Sequence, residues 1–486
     1  MRAARRLRRL ALTSLALVCV FVMAAGTIVA HLLPLRLDRW DVPQVRPHAA
    51  AGAGAPLAPA AVGTGGGTGS ALTPAGLGPV LTPLLSAATL GSHVGMLVTS
   101  LATGQVLYSS NATSGFAPAS TTKVATAVAA LSVLGPAAQF RTRVVAGTSP
   151  ASIVLVGGGD PTLAAGAPPA SDYPQPATLA QLAAQTARAL RARGTGHVTV
   201  GYDQSLYTGT GLAPGWPDSY VTTGNVTPIS ALEVDQGRLT AGGAPQDADD
   251  PQNGRARTFT PAVEAAQAFA GFLRADGIGV TGPPAAALAP GHGAALASVS
   301  SPPLAQIVRQ MLLESNNVIA ENLARHVAIA TARPASFSGG AAAEAAVLHR
   351  LGVSGVSLVD GSGLSPRDRI TPAALVRLIT VASSPAQGRL RAAITGLPVT
   401  GFSGTLAAGG SVFADPGPAA LGVVRAKTGN LATVATLAGV VYAADGQLLS
   451  FAVMADHLKN GALGRAGVQI VKVATALAAC GCRSAG

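Results

Sequence analysis

Ala119-Ser120-Thr121-Thr122-Lys123 opens a run whose apolar residues keep helical spacing to Leu134, where Gly135-Pro136 stops it. At the start of a helix, positions three apart share a face, so this reading sets the amine of Lys123 within reach of the hydroxyl of Ser120. The amino end of a helix carries positive potential, which stabilises a developing alkoxide and favours the neutral, basic form of the lysine. Ser120 and Lys123 then make an activated nucleophile with its base. Taken alone the pattern is weak, and an exposed helix start is its ordinary meaning. Composition argues against that meaning here. Of 33 basic residues only Lys123, Lys427, Lys459 and Lys472 are lysine. In a chain that otherwise uses arginine, a retained lysine suggests a task needing an amine that loses its proton near neutral pH.

Lys427-Thr428-Gly429 lies on a predicted strand. Its glycine lets a ligand backbone approach closely, the lysine supplies positive charge, and Thr428 offers a hydroxyl to a carboxylate. An edge strand carrying a solubilising lysine is the plainer alternative. Ser315-Asn316-Asn317 interrupts a helical run over Leu304 to Ala332, and by itself reads as a helix junction, because Ser and Asn bond nearby backbone. Asp360-Gly361-Ser362-Gly363 reads as a turn with a structural role. The eight histidines show neither metal-ligand spacing nor a nucleophile elbow, which disfavours a zinc peptidase or a Ser-His-Asp hydrolase. No metal or cofactor is expected.

The order Ser-x-x-Lys, Ser-x-Asn, Lys-Thr-Gly resembles the signature of serine penicillin-binding proteins and β-lactamases. Within that superfamily the chain looks like the low-molecular-mass D-alanyl-D-alanine carboxypeptidases and endopeptidases with large insertions between their first two motifs. The 195 positions from Ser120 to Ser315, the run Gly157-Gly158-Gly159-Asp160-Pro161-Thr162-Leu163, Asp360 to Ser365, and Gly404-Thr405-Leu406 carry that likeness over about residues 80 to 480. The resemblance implies an α/β (α+β) fold, an antiparallel sheet flanked by helices with an all-helical subdomain, β-lactamase/transpeptidase-like, and an inserted domain. It implies Ser120 as acyl acceptor, Lys123 as base, Ser315 and Asn317 as proton relay and substrate positioning, and Lys427 as electrostatic support. It also implies that Thr428 binds the terminal carboxylate, that Gly429 and Asn430 line the substrate, and that the backbone N–H groups of Ser120 and Asn430 form an oxyanion hole. One position departs: Asn430 stands where the family commonly has Thr or Ser. The implied substrates are peptidoglycan stem peptides, with β-lactam antibiotics as acylating ligands. A β-lactamase and a non-catalytic penicillin-recognising cell-wall scaffold are the alternatives.

Strands predicted at Val94 to Thr99, Gln105 to Ser109, Val434 to Tyr442 and Leu448 to Met454, with a helix over Ala462 to Ala479, suggest one antiparallel sheet built from distant segments. Residues 143–283, rich in Pro and with short strands at Ile153 to Val156 and Val198 to Gly201, read as an inserted region between peptidase segments 80–142 and 284–486. The formal charge of +12 is not a nucleic-acid signature, because five arginines crowd the first nine residues and the rest are scattered without aromatic partners. Residues 1–9 read as a basic cytoplasmic flank. Leu10 to Leu33 is apolar over 24 residues, where about 20 cross a bilayer. That length favours an uncleaved anchor over a signal peptide, and either exports the body to the cell envelope. Residues 34–79 read as an Ala/Gly/Pro-rich linker. Between Cys19 and Cys480 there is no cysteine, so the fold of the body does not depend on disulfides, and Cys480 and Cys482 are either bridged or free.

Overall fold

The computed structural model describes residues 72–481, apart from 150, 171–172, 240–254, 410 and 414–415. The basic flank 1–9, the apolar run 10–33 and the linker up to residue 71 therefore lie outside the described residues. No helix among the described residues is long and apolar enough to cross a membrane.

In chain order, α1 (Pro74–Leu85) precedes β1 (His93–Ser100) and β2 (Val106–Ser110), and α2 (Thr122–Leu134) follows a single 3-10 turn at Ala119–Thr121. Next come β3 (Arg141–Ala146), β4 (Ser152–Val156), α3 (Leu179–Ala192), β5 (His197–Asp203), α4 (Pro261–Ala275) and β6 (Ala295–Ser300). Helices α5 (Leu304–Glu314), α6 (Asn317–Ala330), α7 (Phe337–Arg350) and α8 (Pro372–Ser383) lead to β7 (Val424–Leu431), β8 (Val434–Tyr442) and β9 (Leu448–Asp456), followed by α9 (Leu463–Ala479).

The main sheet runs β7-β8-β9-β1-β2, antiparallel at every pairing. One face, through Ala438, Val440, Ala452 and Met454, shares a core with α2, α5, α6 and α8. The other, through Met96, Val98, Leu437, Phe451 and Val453, packs on Leu77 and Leu81 of α1 and Ile470 and Leu477 of α9. Covering both faces is why β8 and β9 are almost uninterruptedly apolar, since neither face of these strands meets water.

A second, mixed sheet is built between Phe140 and Ser301. Its order is a two-residue strand Gly279–Val280, then β5, β4, β3 and β6. The β4–β5 pair is parallel, and α3 makes the crossover such a pair requires. Leu182, Leu190, Phe269 and Leu273 from α3 and α4 close over Ile153, Leu155 and Val200. Where the chain leaves and returns, Ser301 N–H donates to Phe140 O at 2.8 Å, and Phe140 N–H donates to Ser301 Oγ at 2.9 Å.

Three expectations are corrected. The linker was expected to reach residue 79, but Leu72 is buried and α1 begins at Pro74, capped by Thr73, whose Oγ1 accepts from Gly76 N–H. Pro79 and Pro83 inside this helix hid it, while Leu77, Leu81 and Leu85 at spacing four hold it in the core. The inserted region was expected to end at 283, yet the sheet takes its edge strand from Ala295–Ser300, whose small residues carry little apolar signal. The helix expected from Ala119 starts at Thr122, because Ala119 adopts a left-handed φ of 48°. At the other end Cys480 is disulfide-bonded, which settles the choice left open for that thiol.

Candidate active site

The backbone around Ser120 is fixed from three sides. Ala117 N–H donates to Asp456 Oδ2 at 2.9 Å, which ties the loop to the end of β9. The carbonyl of Pro118 accepts from Thr121 Oγ1 at 2.7 Å and from Thr436 Oγ1 of β8 at 2.8 Å. Gly363 crosses so close that a Cβ there would lie 1.9 Å from the Ala119 carbonyl oxygen. Its own φ of 83° suits glycine as well. A strained alanine wedged this firmly turns Ser120 out of the helix line, half-buried, one turn ahead of Lys123.

Of the four lysines, Lys123 and Lys427 are fully buried, while Lys459 and Lys472 are exposed. Lys123 Nζ stands 2.9 Å from Ser120 Oγ, 2.7 Å from Asn317 Oδ1 and 2.7 Å from the Ser362 carbonyl. Asn317 Nδ2 donates to the Asn225 carbonyl at 2.9 Å, so its amide oxygen is the atom turned to the lysine. Both that oxygen and the Ser362 carbonyl accept only. A neutral amine therefore gives its two hydrogens to them and keeps its lone pair for the Ser120 hydroxyl. Burial pulls the Lys123 pKa down to about 7, against the opposing pull of the Asp360 and Glu321 carboxylates.

The Ser315-Asn316-Asn317 junction divides its work. Ser315 takes a left-handed φ of 57° and ends α5. Asn316 caps α6, its Oδ1 accepting from Ile319 N–H at 3.1 Å, and its Nδ2 donates to Gln236 Oε1 at 2.8 Å. Asn317 is left facing Lys123. Among the described residues, Ser315 Oγ forms no hydrogen bond to Ser120, Lys123 or Asn317, so of the five expected catalytic groups hydrogen bonds join Ser120, Lys123 and Asn317 and leave Ser315 and Lys427 outside that set.

Lys427-Thr428-Gly429 lies within β7, the outer strand of the main sheet. Lys427 Nζ donates to the Thr428 carbonyl at 2.9 Å, and burial first, then the charge of Lys123, holds its pKa well below the usual lysine range. Thr428 Oγ1 lies 2.7 Å from Thr405 Oγ1. A Cβ on Gly429 would meet Thr436 Oγ1 at 2.2 Å, Pro118 O at 2.7 Å and Thr121 N at 3.1 Å, so this glycine is what lets the strand run against the Ser120 turn. Ala426 N–H points away from β8 and donates to Pro398 O at 3.0 Å. With a period of two and no register shift, the backbone groups of Thr428 and Asn430 point the same way, outward from the sheet. Asn430 itself is exposed.

A family model for D-Ala-D-Ala carboxypeptidase 3 (S13) matches residues 81–253 and 239–477. The chain belongs to that family. This S13 peptidase is similar to a carboxypeptidase of Mycobacterium tuberculosis, 38% identical over 425 residues, which span 85% of this chain and 86% of the relative. Its fold is similar to the crystal structure of penicillin-binding protein 4 from Haemophilus influenzae, with TM-score 0.64 and 24% identity over 82% of this chain and 97% of that one. For the same Haemophilus protein complexed with a β-lactam the TM-score is 0.60 and the identity 25%, over equal shares of both chains. The antiparallel sheet flanked by helices is accordingly the fold expected for the family.

Two groups of the S13 site gave no sequence signal. The Ser362 carbonyl and the Asn225 carbonyl are main-chain atoms, delivered by topology and not by side-chain type. The one available hint was Asp360, whose Oδ1 accepts from Gly363 N–H at 2.7 Å and whose Oδ2 accepts from Ser365 N–H at 2.7 Å and Trp216 Nε1–H at 2.9 Å. Asp360 thus builds the turn that presents the carbonyl.

Proposed function

We propose that this chain is a serine D,D-peptidase that cleaves the terminal D-alanyl-D-alanine bond of peptidoglycan stem peptides. The observation that carries the reading is the environment of Lys123, a fully buried amine with two acceptor-only partners and a lone pair left for Ser120. Ser120 Oγ attacks the carbonyl carbon of the penultimate D-alanine while its proton passes to Lys123 Nζ. Negative charge on the carbonyl oxygen is met by the N–H groups of Ser120 and Asn430. The C–N bond then breaks, the departing D-alanine nitrogen takes the proton from Lys123, and an ester on Ser120 remains. Water cleaves that ester by the same proton route in reverse. Ser315 and Asn317 position the leaving group and the amine. Lys427, held against the Thr428 carbonyl, gives electrostatic support, and Thr428, on the strand that Gly429 lets lie against the Ser120 turn, receives the terminal carboxylate. At Asn430 an amide replaces the usual hydroxyl, which alters the side-chain part of carboxylate recognition and leaves the backbone donor intact. A cross-linked peptide presenting a D-alanyl amide is open to the same attack, so endopeptidase action uses the same residues.

Residues 10–33 anchor the protein in the plasma membrane, residues 1–9 stay in the cytoplasm, and the peptidase acts outside, tethered by the Ala/Gly/Pro-rich stretch before residue 72. The second sheet belongs to an inserted domain. Labelling with a fluorescent penicillin tests the core of this: one covalent adduct is expected on the protein and none on Ser120→Ala. Equal labelling of the two would overturn the assignment of the nucleophile.

A further inference from the structure

We infer that Glu321 is a positioning residue for Lys123, acting through the backbone of Ser362 without touching Ser120 or the substrate. The inference rests on the reading of Lys123 as the base. Glu321 sits on α6 one turn after Asn317, on the same face. Its carboxylate is buried, and Oε1 accepts from Gly361 N–H at 3.1 Å and from Ser362 N–H at 2.8 Å. The carbonyl of Ser362 is the group that takes a Lys123 hydrogen at 2.7 Å. Both acceptors of the neutral amine are therefore governed from one helix, Asn317 directly and Ser362 through Glu321.

The carboxylate has a second effect, through its charge. The charged and titratable groups around the pair are Asp360, Asp368, Glu344, Arg325 and Lys427. Burial drives the Glu344 pKa well above its ordinary value, and burial with the charge of Asp360 takes Asp368 up to about 10, so Asp368 is neutral near pH 7. Glu321 itself is raised by burial and by Asp360 to about 7, with Arg325 Nη1 3.7 Å from its other oxygen opposing the rise. When ionised, it favours the protonated form of Lys123. Anchoring and charge thus pull on the base in different ways, and two substitutions separate them. Glutamine keeps an oxygen for the two N–H groups and loses the charge. Leucine loses both.

The test is the rate of acylation by fluorescent penicillin from pH 5 to 9 for the wild type, Glu321→Gln, Glu321→Leu and Ser120→Ala, with thermal unfolding as the fold check. Glu321→Gln is expected to keep the alkaline plateau and move the acid limb about one pH unit lower. Glu321→Leu should lose about a hundredfold at every pH, because the Ser362 carbonyl is no longer held. A Glu321→Gln profile that superimposes on the wild type, or wild-type acylation in a folded Glu321→Leu, would overturn the inference. Should Glu321→Leu not fold, the glutamine profile decides alone. Labelling of Ser120→Ala would instead remove the reading on which the inference depends.

Discussion

An amine that serves as a base must be neutral at working pH, and Lys123 reaches that state through burial against the pull of two carboxylates. The sign of the pH dependence follows. Below about 7 the amine is protonated and has no lone pair for the Ser120 proton, so acylation by penicillin should fall as pH drops through that value and level off above it. A rate that is flat from pH 5 to 9 would contradict this. Lys123→Arg keeps the positive charge yet cannot shed it at pH 7, and should lower acylation by about 10²–10⁴-fold in the same assay. The scarcity of lysine made this residue legible before any fold was known. Scarcity marked all four lysines alike, and the short motifs around Lys123 and Lys427, both buried, set these two apart from Lys459 and Lys472, both exposed. Glu321 stayed hidden because a glutamate on a helix reads as a solvated side chain until packing shows otherwise.

At the scale of elements, β7 matters for what it touches on each side. It leans on the Ser120 turn through Gly429 and shows an outer row of backbone groups at Thr428 and Asn430. Gly429→Ala should push the strand from Pro118 and Thr121, destabilising the fold by about 1–3 kcal/mol and cutting acylation more than its stability loss explains. Thermal unfolding and penicillin labelling of the same preparation separate the two effects. Asn316→Ala removes an N-cap and should cost about 1 kcal/mol, measurable by denaturant unfolding. β8 and β9 were readable because both their faces are buried and their sequences are almost continuously apolar. α1 was not, since its two prolines imitate a linker, and neither was β6, whose alanines and serines give weak contrast. The Ser315 junction yielded both its meanings together, one residue capping a helix and the next facing Lys123.

For the whole molecule, the described body begins at Leu72, whose N–H donates to Asp445 Oδ2 at 3.1 Å near the far end of the chain. A chain starting at residue 72 should unfold at the temperature of the full protein once solubilised, whereas one starting at residue 87 loses Leu77, Leu81 and Leu85, each contributing about 1.5–3 kcal/mol. Comparing the two by thermal denaturation checks that α1 is structural. The inserted region joins the site through Asn225 and Gln236, a dependence invisible in composition because it runs through a carbonyl and a helix cap.

The main sheet pairs His93 with Asp456, strands separated by most of the chain. Ser120 and Lys123 are synthesised long before β7, β8 and β9, and until those strands arrive the Ser120 turn has neither the Thr436 and Asp456 contacts that hold it nor Gly429 alongside. Non-local pairing of this kind is slow to form. A ribosome-bound or half-exported chain consequently carries a serine and a lysine but no acylating enzyme, and hydrolytic power appears only when the last strands have docked.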